Sequence, residues 1–149
     1  MRWQHQSFEQ LGNADLYRLL QLRSRVFVVE QNCVFLDLDG NDMQAVHLFY
    51  GNAQETAAYV RILRTPDSPI AEAAIGRIVV APEYRGRGLA AEALRLATDF
   101  VFREWQSDSI YLQAQSYLLP FYQNFGYEAV SGEYLEDGIP HVDMRLQRP

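Results

Sequence analysis

The sequence predicts a mixed α/β (α+β) fold on a mostly antiparallel sheet, and three observations predict it. The first is the segment at 75–97, where the β-branched run Ile78-Val79-Val80 is followed by a polar turn and a helical pattern opening on Gly86 and Gly88. The second is a pair of apolar runs at 47–50 and 57–63, joined through Gly51-Asn52 as a hairpin. The third is size: 149 residues, 48% of them apolar, are enough for a core but give no sign of a linker, repeat or low-complexity break. One domain spanning 1–149 is therefore expected.

Taken from the N-terminus, residues 1–8 alternate weakly as a first strand, with Trp3, His5 and Phe8 as its apolar positions. Gly12-Asn13 breaks it, and Asn13 is placed to cap a helix that carries Asp15 in its first turn. Leu16, Leu19, Leu20 and Phe27 give that helix an apolar face; Arg23 and Arg25 lie on or beside it, with a solvated face as their plain reading. The apolar run at 26–29 ends unusually, in Glu30-Gln31. Asp37-Leu-Asp39-Gly40-Asn-Asp42 has the look of a calcium loop, but Leu48 stands where the twelfth-position glutamate belongs, so a turn is the better reading. After the hairpin, Thr65-Pro-Asp-Ser-Pro69 reads as a turn.

The helix after Gly88 lines up Leu89, Ala93, Leu96, Ala97 and Phe100 on one side, as for packing on a sheet, and runs to Trp105. Glu92 with Arg95 and Asp99 with Arg103 have the spacing of solvent ion pairs. Residues 110–115 form the next strand, and 116–124 a short helix that tolerates Pro120 near its start. Gly126 closes that helix in the left-handed conformation. Strands at 127–134 and 142–146 complete the chain, with a turn at 136–141 between them.

Composition narrows the function. A formal charge of −6 (13 basic against 19 acidic residues) argues against nucleic acid as a partner. Cys33 is the single cysteine, which excludes an internal disulfide, and Cys/His spacing of the zinc type is absent, so no metal is expected. Neither a leader nor a run of about 18 apolar residues is present, the pattern expected of a cytoplasmic protein without a membrane partner.

The glycine turn is the chemical centre of the sequence. The first amides of a helix lack internal partners, the macrodipole adds partial positive charge, and Gly86 and Gly88 let a ligand approach the backbone. Arg85 and Arg87 add full charges, so a phosphate-bearing ligand is expected. Gly86-x-Gly88-x-x-Ala91 formally matches a dinucleotide fingerprint, but Pro82 to Arg85 intervene after the strand, and Asp108 precedes the next strand instead of ending it. A nicotinamide oxidoreductase is thus a distant reading. A nucleoside-triphosphate loop fails because no Gly-Lys-Ser/Thr follows.

Val80-x-Pro82-x-Tyr84-Arg85-Gly86-x-Gly88-Leu89-Ala90 resembles the acetyl-CoA motif of the GCN5-related N-acetyltransferases (GNAT family). Phe121-Tyr122 followed by Gly126-Tyr127, one helix and one strand later, is similar to that family's second segment. The runs at 26–33 and 37–42, and the turn at 136–141, resemble its ElaA-like branch. The resemblance implies a sheet of six to seven strands flanked by about four helices, with the strand at 110–115 splayed from that at 78–80. It implies transfer of acetyl from acetyl-CoA, as co-substrate, to a small-molecule or peptide amine by direct attack in a ternary complex. A homodimer is compatible with it.

Residue by residue, the family pattern implies that Gly86, Gly88, Leu89, Ala90 and Ala91, with Arg85 and Arg87, hold the pyrophosphate. Ile78, Val79 and Val80 then pair with pantetheine through their backbone, and Gln115 stands where the family often has Asn. Tyr122 is the implied general acid, either Glu30 or His141 the base, and Glu30, Asp37, Asp39 and Asp42 the acceptor-binding acids, suiting a cationic acceptor. A non-catalytic acyl-CoA-binding module is the alternative, which would need no acid at Tyr122.

Overall fold

The structure, a computed structural model, describes residues 1–65 and 72–149. The expected turn at 65–69 therefore falls, beyond Thr65, outside the described residues. In chain order the elements are β1 (Arg2–Ser7), α1 (Asn13–Arg23), β2 (Val46–Gly51), β3 (Thr56–Arg64), β4 (Glu72–Val80), α2 (Leu89–Phe100), β5 (Ser109–Gln115), α3 (Leu119–Gln123), β6 (Glu128–Ala129), β7 (Tyr134–Glu136) and β8 (Ile139–Gln147). Among these residues eight strands form one sheet in the order β1-β2-β3-β4-β5-β8-β6, with β7 also on β8. All pairings are antiparallel except β4 with β5. The mixed, mostly antiparallel class is as expected. The strand count is one higher because the chain after Tyr127 pairs as two short strands instead of one. Among the described residues the α-helices number three, against about four expected.

Two helices continue beyond their regular part as wide π turns, α1 through Ser24–Glu30 and α2 through Val101–Trp105. The β-branched run Val26 to Val29 is thus wound into helix, with Val26 buried and Val29 exposed. Helix α1 starts one residue earlier than the cap reading implied: Gly12 is the capping position and Asn13 the first helical residue. On α2 the ion pair is Arg95 with Asp99 at 3.4 Å, in place of the two pairs read from spacing.

The sheet is covered on both faces. Leu19, Leu22 and Val26 pack with Phe49, Tyr59 and Val79 on one face. Ala93, Leu94, Ala97 and Val101 of α2 pack on the other with Val60, Ile62, Ile75 and Ile110. A bulge in β4 decides which residue faces which way. The β3–β4 register shifts between Tyr59 and Arg61, and Arg77 has φ +55°. Before the bulge Ala73 and Ile75 face α2; after it Val79 faces α1 while Val80 joins Ala58 and Leu89.

One side chain ties three strands together at the other end of β4. Glu72 accepts hydrogen bonds from Ser109 Oγ of β5 at 2.7 Å and from Arg145 Nε of β8 at 2.6 Å. Beyond it, β4 and β5 pair at Glu72–Ser109, Ala73–Ile110 and Ala74–Tyr111, and then part.

Candidate active site

Where β4 and β5 part they leave a cleft of about 850 Å³, walled by residues 74–80 on one side and by Tyr111, Leu112, Gln113 and Gln115 on the other. Main-chain groups of a strand that lack a neighbour need partners, so these edges offer a row of donors and acceptors to whatever enters. Ile78, Val79, Val80, Arg85, Ala90 and Gln115 line the cleft. Gly86, Arg87, Gly88, Leu89 and Ala91 lie beside it, on the turn and the first turn of α2.

The turn has the geometry that its glycines were expected to give. Gly86 and Gly88 have φ of +80° and +77°, and a Cβ at either would meet nothing within 4 Å, so the backbone is approachable from that side. Gly88 caps α2, whose leading amides have no partner inside the helix. The Leu89 side chain is buried against Ala57 and Ala58, so only its main chain is available to a ligand. The Arg87 guanidinium sits 5.1 Å from the centre of the Tyr84 ring. Arg85 donates from Nε to the Val80 carbonyl at 3.2 Å and pairs with Glu30 at 2.9 Å.

Tyr122 enters the cleft wall from α3, a helix begun by Pro120 and closed by Gly126 at φ +91°. Its ring meets Phe121 and Tyr127 edge-on. Burial, with Tyr117 nearby, pushes its phenol up to about 12. It is therefore a protonated donor throughout the neutral range.

His141 reaches the cleft through strand register, because it pairs with Gln115 across β5 and β8. Its Nδ1 lies 2.7 Å from the Ile139 carbonyl oxygen, which can only accept, so Nδ1 carries a proton and, in the neutral ring, the lone pair is on Nε2. Nε2 is 3.9 Å from Glu136, and the ring stacks on Tyr134. This tautomer has the form of a base. Glu30, by contrast, is held by Arg85, so the geometry favours His141 of the two candidates.

The acids expected to meet an acceptor have other partners. Arg23, fully buried and not on a solvated face, donates to Asp37 at 3.0 Å and to Asp42 at 2.6 Å. Arg61 forms a two-pronged bond to Asp39, at 2.8 and 2.7 Å, and a third to Asp42 at 3.1 Å. Arg77, from the β4 bulge, donates to the Asp37 carboxylate at 2.8 Å and to its carbonyl at 3.0 Å. Asp37 and Asp42 are buried, so acceptor binding by these two is corrected: their oxygens neutralise arginines that have left water. Asp39 stays on the cleft wall but is paired; with Gly40 at φ +86° and its Oδ1 accepting the Asn41 amide, it also makes the turn read from the sequence. Burial alone would raise the pKa of Asp39 and Asp42; their arginines outweigh it and hold both below the usual carboxylate range.

The network extends inward. His47 Nε2–H donates to the Asp42 carbonyl at 2.8 Å, leaving Nδ1 to accept from the Tyr59 hydroxyl at 2.6 Å. Sequence reasoning missed Arg23, Arg61 and Arg77 as partners. The available signal was position: Arg61 lies in the middle of an apolar strand, and Arg23 shares a helical face with Leu19 and Val26.

Known proteins are similar to this chain in sequence and fold. The model of the acetyltransferase (GNAT) domain matches residues 28–148. The protein ElaA of Escherichia coli is 38% identical over 146 residues, covering 97% of this chain and 95% of that protein. Its crystal structure matches with a TM-score of 0.90, covering 97% of both chains. An acyl-CoA N-acyltransferase from Pseudomonas aeruginosa is 35% identical, also at a TM-score of 0.90, covering 97% of this chain and 99% of that one. The NatC complex bound to a Gag peptide and CoA, 16% identical with a TM-score of 0.71 and complete coverage of both chains, shares the fold alone.

Proposed function

The chain belongs to the GNAT acetyltransferase family, and on that premise we propose that it transfers acetyl from acetyl-CoA to the nitrogen of an amine. The observation that carries this reading is the fork between β4 and β5: a cleft with unpaired strand edges along its length, the glycine turn with Arg85 beside it, and Tyr122 in its wall. In this reading the Gly86–Gly88 turn and the first amides of α2 receive the pyrophosphate, and Arg85 offers it the guanidinium N–H groups that Glu30 and the Val80 carbonyl leave free. Pantetheine amides pair with the free edge at Ile78, Val79 and Val80. A β4 N–H polarises the thioester carbonyl, a type of contact worth about 2.7–4 kcal/mol of barrier where it has been removed elsewhere. Gln115 stands at the end of the other edge, as a longer amide in place of the family's Asn.

An alkylamine is mostly charged at neutral pH and must shed a proton before it attacks. The free Nε2 of His141 takes that proton, directly or through water. The amine nitrogen then bonds to the carbonyl carbon and the charge moves to its oxygen. Collapse breaks the carbon–sulfur bond, and the nitrogen loses a second proton as the amide forms. A phenol near pKa 12 is a weaker acid than a thiol at about 8.5, so Tyr122 stabilises the departing sulfur by donating a hydrogen bond, without a completed transfer of its own proton. The thiol gains its proton from the pool released by the amine, which balances the reaction.

The test is calorimetry with acetyl-CoA on the wild type and on Gly88→Glu. The substitution forces a side chain into φ +77° and sets a negative charge beside the expected pyrophosphate. Binding by the wild type that vanishes in the variant supports the reading; a folded wild type that does not bind acetyl-CoA overturns it.

A further inference from the structure

Which amine the cleft accepts follows from a count of the charges at its mouth. Asp37, Asp39 and Asp42 are matched one for one by Arg23, Arg61 and Arg77, and Glu30 by Arg85. Among the described residues that line the cleft, the carboxylates without an arginine are Glu136 and Asp137, side by side at the tip of the β7–β8 hairpin. The same cleft also has an apolar surface. Phe35 and Leu36 line the cleft, and Leu36 is 77% exposed, an unusual position for a leucine on the rim of a site.

This shelf has a fixed place. Asp37, the residue after Leu36, is held by both Arg23 and Arg77, and the Arg77 guanidinium lies 5.8 Å from the Phe35 ring centre. The two walls also meet, since the Cys33 thiol lies 3.4 Å from the Asp137 carbonyl oxygen. Cys33 and Leu36 are three residues apart, at most about 11 Å of chain. One small molecule can therefore touch both the shelf and the hairpin acids.

We propose that the acceptor is a primary monoamine on an apolar or aromatic skeleton, its nitrogen at the Glu136–His141 side and its skeleton on Phe35 and Leu36. This rests on the acetyl-transfer reading above. A polyamine needs anionic partners spread along its length; here the free carboxylates lie together on one turn, and the apolar surface would strip water from a second ammonium without replacing it.

The test compares 2-phenylethylamine, hexylamine and spermidine as acceptors, following thiol release from acetyl-CoA, in the wild type, Leu36→Ser and Phe35→Ser. The expected wild-type kcat/KM favours the two monoamines, and each substitution lowers them by about tenfold, the scale of one apolar contact in a pocket, with little change for spermidine. Acetyl-CoA affinity, measured separately, stays at the wild-type value in Leu36→Ser, whose side chain is already in solvent. Preference for spermidine, or an equal loss for all three amines, overturns the proposal. Turnover of none by a protein that binds acetyl-CoA also overturns it while sparing the cofactor reading. Failure to bind acetyl-CoA overturns the reading beneath it.

Discussion

Two groups of arginines flank the cleft and behave in opposite ways. Arg23 and Arg61 are buried, and with Arg77 they spend their donors on Asp37, Asp39 and Asp42. Arg85 and Arg87 sit on the glycine turn, and Arg85 meets only an exposed carboxylate and a carbonyl. A charge that has left water must be matched where it lies, so the first group is committed to holding the chain together. A charge still in water, beside unpartnered helix amides, can take a further partner at little cost. The difference separates arginines that build the wall from arginines that can serve a ligand.

The strongest way to break the comparison is to cut the buried group. Arg23→Ala leaves Asp37 and Asp42 without their shared partner and should cost about 3–5 kcal/mol of stability, read from urea unfolding. The same unfolding series in the wild type should show an acid limb. Asp39 and Asp42 have folded-state pKa values below the ordinary carboxylate range, so their contribution is complete above the unfolded value near 4 and is lost as pH falls through the depressed values. In Arg23→Ala the limb should shrink. An unchanged limb would mean that these pairs add little.

Next in size is a change in the cleft that leaves both groups intact. Tyr122→Phe removes one hydroxyl and should lower kcat about a hundredfold while acetyl-CoA affinity holds. Loss of neither would favour the acyl-CoA-binding module. With the phenol near 12, the wild-type rate should rise with pH as the amine loses its proton and should not fall again below about pH 10. The smallest effect sharpens the contrast from the open side. Arg85→Gln should weaken acetyl-CoA by roughly tenfold, the scale of one charge-assisted hydrogen bond, with the unfolding curve unmoved. A shift in that curve would place Arg85 with the structural arginines.

What could be read from the sequence was local. The hairpin through Gly51-Asn52, the strand–turn–helix at 75–97, the left-handed Gly126 and the end of α2 at Trp105 each depend on residues a few positions apart. The arginine partners could not be read this way, because Arg23 finds Asp42 19 residues on and Arg77 finds Asp37 40 residues back. The bulge at Arg77 was hidden for a related reason: its effect is a change of facing between Ile75 and Val79, visible only once β3 fixes the register. The run at 26–29 was ambiguous by composition, and packing on Phe49 and Tyr59 decided it as helix.

The clasp at Glu72 has a mechanical consequence. Three residue pairs and one carboxylate join the first four strands to the rest of the sheet at the closed end of the fork. From Ala74 to Val80 the open edge of β4, backed by β3, is about 20 Å long at about 3.3 Å per residue. A rotation of about 3° at the clasp would then move the tip by about 1 Å, and a misplacement of that size can cost on the order of a hundredfold in rate. Glu72 lies far from any reacting atom, yet it sets the gauge of the whole opening, as the pivot of a pair of tongs sets the gap between its tips.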